Sequence, residues 1–233
     1  MLQDRQAFAV GLNMYVPAMA YGCGAIHGVP FRAYIGIPAA SAAGTIATLI
    51  PVNTANGTVA YLSSPVQIDA RYGRVLSVTP SGVPGTNNVV DILGYDYLGQ
   101  PVTERITGAA AAATLIAGLK AFKWVLGTRI VTTASNAVTW SIGVGNGLGL
   151  PWKGNIITAA EGTTIMSAAQ ITTNTTAPVL TDPQTAITGD PRGIYTPTSA
   201  PNGVLAYQLG IAGDPSVNAA GNGGLVGIRH FGG

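Results

Sequence analysis

The sequence predicts an all-β protein, a β-sandwich or jelly-roll with extended N- and C-terminal arms. Three observations carry this. Short runs rich in Val, Ile, Thr and Tyr alternate with period two, clusters of Gly, Pro, Asn and Asp separate them, and amphipathic helices between the runs are absent. Glycine (32) and proline (15) fill about a fifth of the 233 residues, where roughly 12% is usual.

Three segments differ in texture. Residues 1–50 form an N-terminal arm or peripheral region, 51–155 the β-sandwich core, and 156–233 additional strands with a glycine-rich C-terminal arm. In the first, Tyr15, Tyr21, Phe31 and Tyr34 suit either anchors on a neighbour or packing on the chain's own core. Ala39–Ile50 has some helical character, interrupted by Gly44, Thr45 and Thr48.

The second segment carries the strongest strand signal. Gly57–Leu62 and Val66–Asp69 read as two short strands. Arg74–Thr79 alternates, but its facing is open between Val75 with Ser77 and Leu76 with Val78. Pro80–Gly85 is a turn cluster. Val89–Tyr95 puts Val90 and Ile92 opposite Val89, Asp91 and Leu93. Val102–Ile106 puts Val102, Glu104 and Ile106 opposite Thr103 and Arg105. Between them Asp96–Gly99 supplies a turn, so residues 87–107 are expected to form an antiparallel hairpin. Pro101 then belongs at a strand start, where its missing N–H breaks no ladder bond.

Ala109–Ala113 suits a short helix or a connection. Leu119–Val125, Thr128–Thr133 and Ala137–Val144 follow as strands, the last with Val138, Trp140 and Ile142 on one face. Gly145–Trp152 reads as a rigid, glycine-shaped loop. In the third segment Ile156–Ile171 starts as a strand, with a second short one after Gly162. Thr188–Pro197 is turn-rich, Asn202-Gly203 fits a tight turn, and Val204–Ile211 is a further strand.

Only 9% of residues are charged, against roughly a quarter in an average soluble protein. Charge depletion marks the cores of interfaces, so the composition favours a subunit packed against others over a solitary one. The net charge is +2, and the nearest approach to a basic patch is Lys120, Lys123 and Arg129. No nucleic-acid partner is expected, because phosphate binding needs a concentrated basic face. No membrane partner is expected either. Ala109–Val125 contains Gly118, Lys120 and Lys123, and the apolar run 7–26 is broken by Asn13 and Pro17 after an n-region of both charge signs.

Candidate chemistry is sparse. Cys23 is the single cysteine, so no intrachain disulfide or thiolate metal site forms. His27 and His230 lack a carboxylate at ligand spacing. Asp91, Asp96, Asp182, Asp190 and Asp214 are the donors an oxygen-only cation site would draw on, but most neighbour Gly or Pro, where aspartate caps turns. Glu104 and Glu161 are the only glutamates, a bare minimum for glycosidase chemistry, and Glu104 is better read as a strand residue paired with Arg74 or neighbours of Arg105. The Gly145–Gly154 loop with Lys153 lacks the phosphate-cradle spacing. No catalytic, cofactor-binding or metal residue is assigned, no cofactor is expected, and the chain reads as non-catalytic.

Three motifs, Val90-Asp91-Ile92-Leu93-Gly94-Tyr95-Asp96-Tyr97-Leu98-Gly99-Gln100-Pro101-Val102-Thr103-Glu104, Lys120–Val125 with Gly143–Pro151, and Thr188-Gly189-Asp190-Pro191-Arg192-Gly193-Ile194-Tyr195-Thr196-Pro197, in that order, resemble a pattern of virion structural proteins of tailed bacteriophages. The resemblance spans roughly residues 74–203, and departs from the pattern at Pro191. It implies a capsid decoration or cement protein on the outer surface of the head, bound to the major capsid protein and to copies of itself as a homotrimer, with a dimer second. A tail or head-to-tail component is the main rival, and a glycan-binding host-surface module the rival of another class.

Overall fold

The computed structural model describes residues 30–51, 59–80, 89–107, 115–132, 139–151, 154–173, 189–190 and 192–213. Its strands are β1 (Pro30–Gly36), β2 (Ala42–Pro51), β3 (Val59–Gln67), β4 (Arg74–Pro80), β5 (Val89–Tyr95), β6 (Pro101–Thr107), β7 (Ile116–Phe122), β8 (Trp124–Thr132), β9 (Thr139–Gly149), β10 (Gly154–Glu161), β11 (Thr164–Ile165), β12 (Thr172–Thr173), β13 (Ile194–Thr196) and β14 (Tyr207–Gly213). The only helix among the described residues is a 3-10 turn at Ala168–Gln170.

All pairings are antiparallel and form three sheets. The middle one runs β12-β13-β9-β4-β7, with β2 also on β9. The other two are a β3-β8-β5-β6 sheet and a β1-β14-β10-β11 sheet. The all-β expectation is met. Strands of all three sequence segments share sheets, since β1 pairs with β14 and β2 with β9. Residues 1–29 and 214–233, which hold the ends of the expected arms, lie outside the described residues.

Two apolar cores draw on the middle sheet. One joins Leu76 and Val78 of β4 and Trp140 and Ile142 of β9 to Val90, Ile92, Val102, Ile106 and Val125 of the β3-β8-β5-β6 sheet. The other joins Leu148 and Tyr195 to Ile35, Ile156, Tyr207 and Leu209 of the β1-β14-β10-β11 sheet. β4 has a strand partner on either edge, β7 and β9, and is buried on nearly every residue, which explains why alternation could not fix its facing. Burying one such large aliphatic side chain stabilises by about 1.5–3 kcal/mol.

The expected antiparallel β5–β6 hairpin forms, with register from Val89↔Thr107 to Tyr95↔Pro101. Gly99 takes φ +79° in its turn, and Asp96 Oδ1 accepts the N–H groups of Leu98 (2.9 Å) and Gln100 (2.8 Å). Asn202 does the same for Val204 and Leu205, beside Gly203 at φ +79°.

Four expectations need correction. Leu119–Val125 is not one strand: β7 ends at Phe122 and β8 begins at Trp124, running on through Thr128 to Thr132. Ala39–Ile50 is not helical: β2 occupies Ala42–Pro51 and pairs with β9 through two register shifts, because its Thr and Ile residues favour a strand and β9 offers an edge. Gly57–Leu62 and Val66–Asp69 are not two strands: Val59–Gln67 is one, with an irregularity between Tyr61 and Val66. Gly145–Trp152 is no loop over most of its length, because β9 continues to Gly149. Its glycines answer to close approach: a Cβ on Gly147 would sit 2.8 Å from Ile194 Cγ2, and one on Gly149 2.4 Å from the Tyr72 carbonyl oxygen.

Candidate functional site: a charged seam between the sheets

Eight of the fourteen charged side chains among the described residues are buried. Burying an ion is unfavourable unless it is paired and hydrogen-bonded. Their partners therefore define the polar architecture of the molecule.

The largest group forms where the β5–β6 turn and β7 meet Asp190 and Arg192. Asp96, after satisfying its own turn with Oδ1, accepts Arg192 Nη1 with Oδ2 at 2.6 Å. The guanidinium carbon lies 5.0 Å from the centre of the Tyr97 ring, within cation–π range. The Tyr97 hydroxyl donates to the Pro151 carbonyl, and its ring meets Tyr72 edge-on at 5.1 Å. Burial pushes the Tyr97 hydroxyl up to about 12. Asp190 accepts the backbone N–H of Arg192 (2.9 Å) and of Ala121 in β7 (3.0 Å), while its own N–H donates to the Leu119 carbonyl (3.1 Å). Arg192 Nε stands 3.6 Å from Asp190 Oδ1, too far for a hydrogen bond. Burial alone would weaken the Arg192 charge, but Asp190 and Asp96 more than offset it and its pKa is raised.

Glu104 enters the same seam from β6. It is buried and accepts the Leu119 N–H with Oε1, while Oε2 has no hydrogen-bond partner. Burial raises its pKa to about 7, against the opposing pull of the Leu119 N–H and the Lys120 charge. The expected pairing of Glu104 with Arg74 or neighbours of Arg105 is thus corrected. Arg74 instead donates to the carbonyls of Gly145 (3.0 Å) and Ala39 (2.8 Å) and pairs with Asp69 at 3.3 Å. Arg105 lies on the opposite face of β6 and binds Asp91. Gly118 leaves room for the carboxylate, because a Cβ there would sit 2.7 Å from Glu104 Oε2.

A separate group surrounds Glu161 at the end of β10. It accepts the Tyr195 hydroxyl (2.6 Å) and the N–H groups of Thr198 (2.8 Å) and Ser199 (2.7 Å). Burial would raise its pKa, but these hydrogen bonds lower it. The two glutamates thus sit in different sheets with different partners and do not converge.

The sequence candidates for a cation site are partly brought together. Asp96 and Asp190 flank one cation, and that cation is the chain's own Arg192. Asp91 is held elsewhere by two arginines. Asp182, Asp214, His27, His230, Cys23 and Lys153 lie outside the described residues. Among the described residues no group of three His, Cys, Asp or Glu suits a metal ion, and no helix is long and apolar enough to cross a membrane. The Lys120, Lys123 and Arg129 patch dissolves as well. Lys120 is buried, Lys123 Nζ donates to the Ile68 and Ala70 carbonyls at 2.9 Å each, and Arg129 sits on Asp91.

Nothing in the local sequence around Arg192 or Arg74 marks a buried charge. For Lys120 a signal existed: it shares the inward phase of β7 with Gly118 and Phe122. No family model, curated protein or solved structure matches this chain.

Proposed function

We propose that this chain is a non-catalytic virion structural protein that decorates a phage capsid and bridges neighbouring capsomers, built as a β-sandwich and acting as a homo-oligomer, with a trimer ahead of a dimer. The observation that carries the reading is the disposition of charge. Five of the six acidic residues described are buried in contacts within the chain. The ionisable groups an enzyme would use as acid or base instead brace turns and strands. Two of the motifs that resemble phage virion proteins meet at Asp96 and Arg192, so they act together as a brace for the fold. A β scaffold with a weakly charged surface suits repeated contact with neighbours, because such a surface does little to keep copies apart.

The test is deletion of residues 1–20, followed by light scattering, capsid co-sedimentation and thermal unfolding. The expected outcome is weaker oligomerisation or particle binding with little change in the melting temperature of the β core. A full-length protein that is monomeric and ignores capsids overturns the reading.

A further inference from the structure

The outer face of the β3-β8-β5-β6 sheet carries a second set of ion pairs of a different kind. Val59, Arg129, Asp91 and Arg105 stand in one register row across all four strands. Asp91 is buried at the centre of the row. Arg105 grips it through Nε (2.8 Å) and Nη2 (3.1 Å), and Arg129 through Nη2 (2.5 Å). Two guanidiniums share one carboxylate, which leaves a local charge of +1. The side chains of Arg105 and Arg129 remain 33% and 43% exposed, and Asp91 occupies only part of their five N–H donors each.

Exposed apolar and aromatic side chains share this face of the sheet. Tyr61 is 72% exposed in the next row, opposite Gly127, and Val59 and Tyr95 are 38% and 37% exposed. Arginine and tyrosine flanked by apolar side chains are the residues that anchor protein interfaces. A buried carboxylate that fixes two guanidiniums also reduces the entropy lost when they engage a further anion.

We infer that this row docks a carboxylate presented by the surface of a second, acidic protein, with the sheet face around Tyr61 and Val59 covered in the same contact. Charge complementarity selects such a partner over another copy of the described surface. The five buried acidic groups cannot reach a neighbour, and the sixth, Asp69, already binds Arg74 and the Ala39 N–H. In the terms of the assembly proposed above, on which this inference rests, the face would meet the capsid lattice.

The probe is an extended peptide alternating glutamate with leucine and threonine, titrated into the full chain. Binding is followed by calorimetry and by the guanidinium resonances of Arg105 and Arg129. Its glutamine counterpart, heparin oligosaccharides and phosphatidylserine vesicles form the other arms. The glutamate peptide is expected to bind, to move the Arg129 Nε signal and to weaken as salt rises. Arg129→Ala should weaken it by about tenfold, and Arg129→Lys by less because charge remains without the planar fork. Equal binding of the glutamine peptide, indifference to Arg129→Ala in a variant that remains folded, or binding of heparin or vesicles alone overturns the inference. Should Arg129→Ala unfold the chain, Arg129→Lys and the resonance shifts in the parent decide. Loss of this site with capsid co-sedimentation intact refutes the docking face and leaves the assembly reading standing. Peptide binding through both arginines without any capsid binding does the reverse.

Discussion

The Asp96–Arg192–Asp190 seam and the Arg105–Asp91–Arg129 row use the same side chains in opposite settings. In the seam one arginine lies between two aspartates, all three buried, with Tyr97 stacked beside the guanidinium. In the row one buried aspartate lies between two arginines that still reach solvent. Water decides what each can do. The seam cannot exchange its partners for water, so losing one strands a charge. The row can lose one arginine and retain the other with solvent at hand. The first arrangement suits holding elements together, and the second suits recognition.

The largest expected effect lies in the seam. Arg192→Met leaves Asp96 and Asp190 without their cation and should destabilise by about 3–5 kcal/mol, read as a shift in the denaturant midpoint. Adding Asp96→Asn should recover part of the loss, because it removes one stranded charge. A single substitution that costs under about 1 kcal/mol would mean that water enters the seam, and the contrast with the outer row would collapse.

Next comes pH. The folded pKa of Glu104 is raised from 4.5 to about 7, so the native state binds this proton more tightly than the unfolded chain. The contribution is fully present below about pH 4.5 and is lost as pH rises towards 7. The amount is roughly 3 kcal/mol at 1.36 kcal/mol per unit. Glu104→Gln should therefore flatten the stability–pH curve between about pH 4.5 and 7 relative to the parent. Glu161, whose pKa is lowered, acts in the opposite sense, and its contribution is lost as acid titrates its folded form. A parallel pair of curves for parent and Glu104→Gln would show that Glu104 is ionised and paired throughout.

Much of this frame was legible in the sequence. The hairpin could be read because Val102 and Ile106 alternate against Thr103 and Arg105, and because Asp96 and Gly99 supply turn chemistry. Alternation places Glu104 on the face of Val102 and Ile106, but the pairing expected for it, with Arg74 or neighbours of Arg105, is not the one it makes. Its partners were not legible, since backbone N–H groups of β7 carry no side-chain signature. The C-terminal half of β9 is hidden in the sequence for a related reason. Gly145, Gly147 and Gly149 look like loop residues along the chain, and only the approach of Val75, Ile194 and Tyr72 shows that they are strand positions with no room for a side chain. The meeting of Asp96 with Arg192 depends on tertiary contact across 96 residues, beyond any local pattern.

The two kinds of glycine give effects of middling size and separate packing from backbone strain. Gly149→Ala would force a Cβ against the Tyr72 carbonyl and the Ala121 side chain, at a cost of about 1–3 kcal/mol. Gly99→Val has open space around its Cβ but keeps φ at +79°, and should also cost about 1–3 kcal/mol, through strain alone. Gly99→Asn discriminates, since asparagine tolerates the left-handed region and should recover most of the Gly99→Val loss. No corresponding polar residue would rescue position 149. Equal behaviour of valine and asparagine at position 99 would show that the turn relaxes to another conformation.

The smallest stability effect is expected in the row that is proposed to bind. Arg129→Ala removes one of two guanidiniums from Asp91, while Arg105 keeps its two-point grip. Burial would raise the Asp91 pKa, but the hydrogen bonds from Arg105 and Arg129 lower it, so the acid form becomes easier to reach in the variant. With the Arg129 side chain 43% exposed, solvent screening limits the contribution to about 1 kcal/mol or less at neutral pH. The loss should shrink as pH falls, because Asp91 protonation ends the pairing in parent and variant alike. Measured against Arg192→Met under the same conditions, this places the two ion-pair sets on one scale. If Arg129→Ala destabilised as strongly as Arg192→Met, the outer row would be a structural brace, and its spare N–H donors would carry no special meaning. A small loss that coincides with a lost peptide response separates recognition from stability in one variant.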